Sequence, residues 1–255
     1  MSSTTSSPEI ATATTAPTRR ERARAATLAE IKQTALDLMR EHGTTDVRFT
    51  DIARVMGLTP PALYRYYADR DELLTDLITD GYSDLAAALA AALRPDEPAP
   101  APAEHLMLVA QAYRDWAKAD PQRFALIFGL PVPGYAAPQE GPTVEAAQRA
   151  MANLAEVVHR ASAAGVLGEP LVTEVDPVLE QCLLEDQKTG MVARDLTLPR
   201  YQAMIHGWAA LHGFVCLEAY GHFDWFPPAV PDVMFRYQVD LVGRAIGFPP
   251  LTAAS

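Results

Sequence analysis

Cysteine is scarce in this chain: only Cys182 and Cys216 occur, far apart and without neighbouring ligand types. That excludes a disulfide framework or a structural zinc site and fits a reducing compartment. No run of about 18 uninterrupted apolar residues is present to span a bilayer. The N-terminal stretch MSSTTSSPEIATATTAPT lacks the apolar core of a signal peptide. The chain is therefore expected to be soluble and cytoplasmic. Also missing are a Gly-rich phosphate loop, a G-x-S-x-G elbow, an HExxH pair and any clustered His/Cys set, so no catalytic residue, metal or cofactor is indicated.

Positive charge is in short supply as well, with 21 Lys+Arg against 32 Asp+Glu and a formal net charge of -11. Such a balance ordinarily discourages binding to a phosphate backbone. The deficit is uneven, however. Residues 1–75 hold ten basic and ten acidic side chains, so the remaining 180 residues carry the whole surplus. That surplus serves either to attract a cationic ligand or, as a solvated surface, to keep this part off nucleic acid.

What is present is helical periodicity, and no segment shows a convincing period of two; the expected fold is all-α. Residues 1–18 have no apolar face and are expected to be disordered. The RRERAR run that follows reads as a basic arm, either a solubilising extension or one that touches phosphates or a minor groove. A first helix is expected over 27–42, closed by Gly43, and a second over 49–56. Gly57 then supplies a left-handed turn and Thr59 an N-cap, and a third helix covers 60–67 with Leu63 and Tyr67 inward. Pro60 and Pro61 are tolerated there because first-turn N–H groups have no intrahelical acceptor. A fourth helix begins after Asp69 and ends at the Pro-rich connector 94–103. Further helices are expected at 103–119, 121–129, 143–164, 176–193, 198–221 and 231–247. The resulting division is a tail (1–18), a small N-terminal domain (19–75), a larger helical domain (76–247) and a C-terminal tail (248–255).

Two short helices joined by a Gly-containing turn, packed on a third, form a helix-turn-helix whose second short helix suits a DNA major groove. On its outer face Pro60, Pro61, Ala62, Arg65 and Tyr66 have no core duty, and Tyr64 lies along the edge. Hydroxyls and cations at the ends of such a helix suit phosphate oxygens; an Arg fork suits guanine, and apolar groups suit thymine methyls. The stretch FTDIARVMGLTPPALYRYYADRDELL, within 27–75, resembles the DNA-binding domain of the TetR family of bacterial transcriptional regulators. The resemblance implies that Tyr64, Tyr66 and Arg70 contact phosphates and that Pro60, Pro61, Ala62 and Arg65 face the groove. This chain departs from the family pattern at Arg48 and Thr50. Arg48 is then available to reach DNA, and Thr50 to serve as a phosphate ligand or cap. Thr59 completes the candidate set.

MIHGWAALHGFVCLEAYGHF, 204–223, is similar to the Trp-x-x-x-His-Gly helix of one C-terminal subclass of these regulators, through Trp208, His212 and Gly213. It is apolar nearly all round, so it must be covered on every side. The resemblance implies a homodimer formed by the last two long helices, acting on a palindromic double-stranded operator, usually as a repressor. It also implies an effector cavity among the middle helices that takes a small hydrophobic molecule. Candidate walls are Tyr113, Trp116, Phe124, Phe128, Tyr135, Met151, Leu154, Trp208 and His212, with the Pro/Gly-rich stretch 128–143 as a lid or rim. His212 and Cys216, four apart, would share a metal only with ligands that the sequence does not supply. Two alternatives stand beside the sensor: a dimeric DNA-binding regulator without a ligand, and a helical enzyme of unspecified reaction.

Overall fold

The computed structural model describes residues 18–94, 100–138, 140–189 and 196–251. The expected disorder of the N-terminal tail up to residue 17, the middle of the connector (95–99), the end of the helix expected over 176–193, and the last four residues of the chain lie outside them. Among the described residues the fold is all-α, with no strand: α1 (Arg19–His42), α2 (Phe49–Val55), α3 (Pro60–Leu63), α4 (Arg70–Ala92), α5 (Pro102–Ala119), α6 (Pro121–Phe128), α7 (Pro142–Ala163), α8 (Pro177–Thr189), α9 (Leu198–Ala219) and α10 (Val230–Ile246).

Two elements depart from the sequence expectation. Helix α1 starts at Arg19, so the basic arm is helical. A capping box explains it: the Glu21 N–H donates to the Thr18 hydroxyl, and the Glu21 carboxylate accepts from the Thr18 N–H. Helix α3 is shorter than expected. After Leu63 the chain continues in turns, with the Tyr66 and Tyr67 N–H groups both donating to the Leu63 carbonyl. Gly43 and Gly57 take the left-handed conformation, at φ 63° and 65°, which closes α1 and turns the chain from α2 into α3.

Two apolar cores form. One holds Ile31, Met39, Ile52, Leu63 and Tyr67 from α1 to α3 together with Leu73, Leu74, Leu77 and Ile78 of α4. The other holds Leu85 and Leu89 of the same helix with residues of α5, α6, α7, α9 and α10. The boundary placed near residue 75 therefore falls inside one continuous helix. Within the second core α9 and α10 approach closely because Gly207 has no side chain; a Cβ there would lie 2.7 Å from Val242 Cγ1.

A buried ion network ties α5, α9 and α10 together. Arg114, 2% exposed, donates from Nε and Nη2 to the Glu218 carboxylate (2.6 and 2.5 Å) and from Nη2 to Asp232 (2.8 Å), and Lys118 donates to Glu218 at 2.9 Å. The guanidinium also lies 4.7 Å from the Phe235 ring centre. Burial opposes ionisation of Glu218, but the hydrogen bonds from Arg114 and Lys118 outweigh it and hold the carboxyl below its ordinary value of 4.5.

A carboxyl with a depressed folded-state pKa stabilises the fold above its unfolded value and loses that contribution as pH falls through the folded one. Replacing Glu218 with Gln is expected to cost roughly 3 kcal/mol at neutral pH, the low end for breaking a buried pair because Asp232 still faces the guanidinium. The same variant should lose less stability than wild type on acidification below about pH 4.5. Urea melts of both proteins across that range check it; parallel pH curves would remove Glu218 from the account.

Candidate functional site

Helix α3 projects from the N-terminal core on Leu63, which is buried, as is Tyr67 in the turn after it. Tyr67 donates its hydroxyl proton to Asp76 Oδ2 at 2.6 Å, fastening that turn to α4. Thr59, Pro60, Pro61, Tyr64 and Arg65 are exposed, whereas Ala62 and Tyr66 are half-buried. Tyr64, 56% exposed, leans on Phe49 of α2 with ring centres 5.3 Å apart, so its hydroxyl is carried on a braced ring. Thr59 occupies the N-cap position, yet its side chain makes no capping bond. The reason lies in the two prolines: N1 and N2 have no N–H to cap, and the next N–H, of Ala62, donates to the Thr59 carbonyl at 2.8 Å. Arg48 holds the N-cap position of α2, again with no side-chain cap, and Arg48 and Thr50 are exposed beside α3. Neither Arg48 nor Arg65 has an ion-pair partner among the described residues, in contrast to Arg54, which pairs with Asp51.

Arg70 is placed differently from the other candidates. Its guanidinium donates to the Val47 carbonyl (3.1 Å), to Asp46 (2.5 Å) and to the Pro133 carbonyl (3.3 Å). It bridges the segment before α2 to the loop that joins α6 and α7. The expectation of Arg70 as a phosphate ligand is thus set against an intramolecular engagement of the whole fork. That loop is fastened at a second point, where the Tyr135 and Thr75 hydroxyls lie 3.0 Å apart, and Val132 is buried in the N-terminal core.

The nine candidate wall residues are divided between an aromatic cluster, the N-terminal core and the wall of one cavity. Tyr113 and Phe124 are fully buried core, packed with Phe128, Trp208 and His212. Trp116 joins them through Phe124. The rings of Tyr113, Phe124, Phe128 and Trp208 meet tilted or edge to face. His212 is satisfied within this cluster: Nδ1 is 2.7 Å from the Tyr113 hydroxyl and Nε2 is 3.3 Å from Cys216 Sγ. Burial lowers the His212 pKa and raises those of Tyr113 and Cys216, which in each case favours the neutral form. No group of three or more His, Cys, Asp or Glu among the described residues could hold a metal ion. Tyr135 lies apart, on the N-terminal core.

Met151, Leu154 and Trp208 do line a cavity, of about 210 Å³, between α5, α7, α9 and α10. Its other walls are aliphatic residues such as Leu106, Val158, Met204 and Leu211, with Tyr201 at one side. It shares Met151, Ala155, Tyr201 and Met204 with a wider groove of about 870 Å³. Groove walls also come from Tyr82 of α4, from Ala137 and Pro138 of the α6–α7 loop, and from His159, whose Nδ1 has no partner among the described residues. Sequence reasoning missed most of these walls. Met204, Trp208 and Leu211 share one face of α9, and that face was the available signal.

The chain matches two family models, bacterial regulatory proteins of the tetR family over residues 31–77 and the Tetracyclin repressor-like C-terminal domain over 106–242. It is 34% identical over 208 residues to the HTH-type transcriptional regulator Rv1816 of Mycobacterium tuberculosis, covering 79% of this chain and 84% of the relative. The regulator Mb1846 of Mycobacterium bovis matches to the same extent. The crystal structure of a regulatory protein, SCO4313, superposes with a TM-score of 0.68 at 35% identity, covering 88% of this chain and 98% of that one. The TetR family regulator PfmR of Thermus thermophilus shares the fold, with a TM-score of 0.52 at 20% identity over 85% of this chain and 98% of that one.

Removing the Arg70 fork should free the loop. Arg70→Ala is expected to lower global stability by about 1–2 kcal/mol and to raise amide exchange at Tyr135, whose N–H donates to Val132, about tenfold. Hydrogen exchange read by mass spectrometry checks this, and unchanged exchange over 130–136 would show that the loop is held without Arg70.

Proposed function

The chain belongs to the TetR family of bacterial regulators and is a transcriptional regulator with a helix-turn-helix, not an enzyme. From that premise we propose that it acts in the cytoplasm as a homodimeric repressor of a roughly palindromic operator, released by a small hydrophobic effector.

The observation that carries the DNA reading is the set of exposed, unengaged groups on and beside α3. Thr59, Tyr64 and Thr50 offer hydroxyls, and Arg48 and Arg65 offer uncommitted guanidinium forks. In this reading Tyr64, Tyr66, Thr50 and Thr59 bind phosphates, Arg65 reads guanine, and Pro60, Pro61 and Ala62 pack on thymine methyls. Arg48 reaches the duplex from the start of α2. Arg70 meets a phosphate only if it gives up Asp46 or Pro133, so it is assigned here to holding the head against the loop.

Dimerisation is supported by an apolar surface that the single chain leaves open. Along α10, Val233, Tyr237 and Leu241 recur every four residues at 54%, 71% and 67% exposure. Beside them α9 exposes Ala210, Gly213, Leu217 and Tyr220 at alternating spacings of three and four. A contiguous patch of this kind is uncommon on a monomer. Two copies related by a two-fold axis would bury it in a four-helix contact and hold two α3 helices for half-sites about 34–36 Å apart.

Effector control is supported by the apolar cavity and by the loop that borders the groove beside it. Ala137 and Pro138 line the groove, while Val132 and Tyr135, a few residues away, pack on the N-terminal core. A molecule that displaces the rim pulls on the head through this loop as well as through α4.

Selection of bound duplexes from a random pool, repeated at two salt concentrations, tests the DNA reading. A two-fold symmetric motif with salt-weakened binding is expected; no enrichment from folded protein would sink the reading. On the selected operator, Tyr64→Phe should weaken binding to every variant sequence alike. Arg65→Ala should cost about 1–3 kcal/mol at one or two positions and little elsewhere. Tyr237→Glu combined with Leu241→Glu should give monomers by light scattering and abolish tight operator binding; a dimer that persists would move the interface elsewhere.

A further inference from the structure

We propose that Arg24, on the helical extension of α1, is a positioning residue for DNA recognition that fixes the orientation of α3 without contacting DNA. The inference rests on the DNA-binding reading above. Helix α3 is unusually poor in means to hold itself. It is four residues long, its first two residues are prolines without an N–H, and Leu63 is the one residue of it that is buried. Beyond Leu63 the chain leaves the helix in turns, so the Arg65 carbonyl has no helical partner to point at.

Arg24 supplies that partner. Its Nη1 donates to the Arg65 carbonyl oxygen at 3.1 Å, and its guanidinium carbon lies 5.3 Å from the centre of the Tyr66 ring. One planar group thus bonds the end of the reading segment through an N–H while its face covers the adjacent ring, a pairing that suits guanidinium better than ammonium. The residues bridged are Arg65, proposed to read a base, and Tyr66, proposed to bind a phosphate. A shift of either by an ångström would misplace its hydrogen bonds. The position of Arg24 depends in turn on the Thr18–Glu21 capping box, which keeps the helix intact a turn and a half upstream of it. Arg19, Arg20 and Arg22 make no such contact and have no ion-pair partner among the described residues.

Positioning and direct phosphate binding leave different thermodynamic traces. Removing a phosphate ligand from both protomers weakens selected and random duplexes alike and lowers the salt slope by about 2. Loss of positioning weakens the selected duplex and spares the random one, at an unchanged slope. Binding of the wild-type, Arg24→Ala and Arg24→Lys proteins to the selected operator and to a random duplex, each at several salt concentrations, distinguishes the two. The expected result for Arg24→Ala is about a tenfold loss on the operator with nearly constant affinity for random DNA. Arg24→Lys should recover less than half of the loss, and thermal melts should stay near that of wild type. An equal loss on both duplexes with a reduced slope, full recovery by Lys, or no loss at all would overturn the assignment while leaving the DNA reading intact. Absence of any operator for the wild-type protein would remove both.

Discussion

Helix α4 belongs to two cores at once, and that joins the head to the body of the molecule. Leu73, Leu74, Leu77 and Ile78 are buried with α1–α3, and Leu85 and Leu89 with α5, α7 and α9. Each such side chain contributes on the order of 2 kcal/mol of burial. Detaching the head from α4 would therefore forfeit about 8 kcal/mol, comparable with a typical domain's whole stability margin of about 5–15 kcal/mol. No flexible linker separates the domains. The head moves with α4, or it moves by repacking contacts beside it, among them Arg40 on Asp120, Arg70 on Pro133, Tyr135 on Thr75, and Leu126 and Val132 in the N-terminal core.

The charge pattern acquires a structural meaning in this frame. Several cations of the N-terminal part are consumed internally: Lys32 by Asp76 and Asp80, Arg40 by Asp37 and Asp120, Arg54 by Asp51, and Arg70 by Asp46. Arg19, Arg20, Arg22, Arg48 and Arg65 have no ion-pair partner among the described residues, and all lie on α1's first turns or around α3. A segment neutral by formal count thus keeps these five guanidinium groups out of ion pairs among the described residues. The acidic surplus of residues 76–255 opposes contact between that part and a phosphate backbone.

Much of this was legible in the sequence, and the losses have identifiable causes. Helical periodicity and the glycine stops at 43 and 57 report local backbone preference, which tertiary context did not override. The start of α1 was misplaced although Thr18-x-x-Glu21 spells a capping box, because a run rich in arginine has no apolar face to mark it as helix. Residue type makes Thr59 an N-cap; the prolines at N1 and N2 leave only the Ala62 N–H for its side chain, and that N–H goes to the Thr59 carbonyl instead. The carbonyl partners of Arg70 and Arg24 carry no residue-type signature, and Asp46 and Tyr66 are brought to them only by the tertiary fold. For the cavity, sequence reasoning followed the aromatics. Tyr113, Phe124, Phe128 and Trp208 pack edge-to-face and tilted in the core between α5, α6 and α9. The void is left instead where flexible Met and Leu side chains meet the bare backbone of Gly207.

That composition bears on how an effector would act in the proposed scheme. A ligand shifts an equilibrium only by the difference in its affinity for the two states. A hundredfold change in operator affinity corresponds to about 2.8 kcal/mol, which equals the burial of roughly 110 Å² of apolar ligand surface in one state and not in the other. Shared between two cavities of a dimer, the requirement falls to about 55 Å² for each, the area of a few methylenes. A cavity of about 210 Å³ with methionine walls adjusts to that extent without backbone movement. The groove rim does not: Ala137 and Pro138 are tied within a few residues to Tyr135 and Val132 on the head. The selective part of the binding energy in such a scheme lies at the rim, and the apolar interior supplies affinity common to both states.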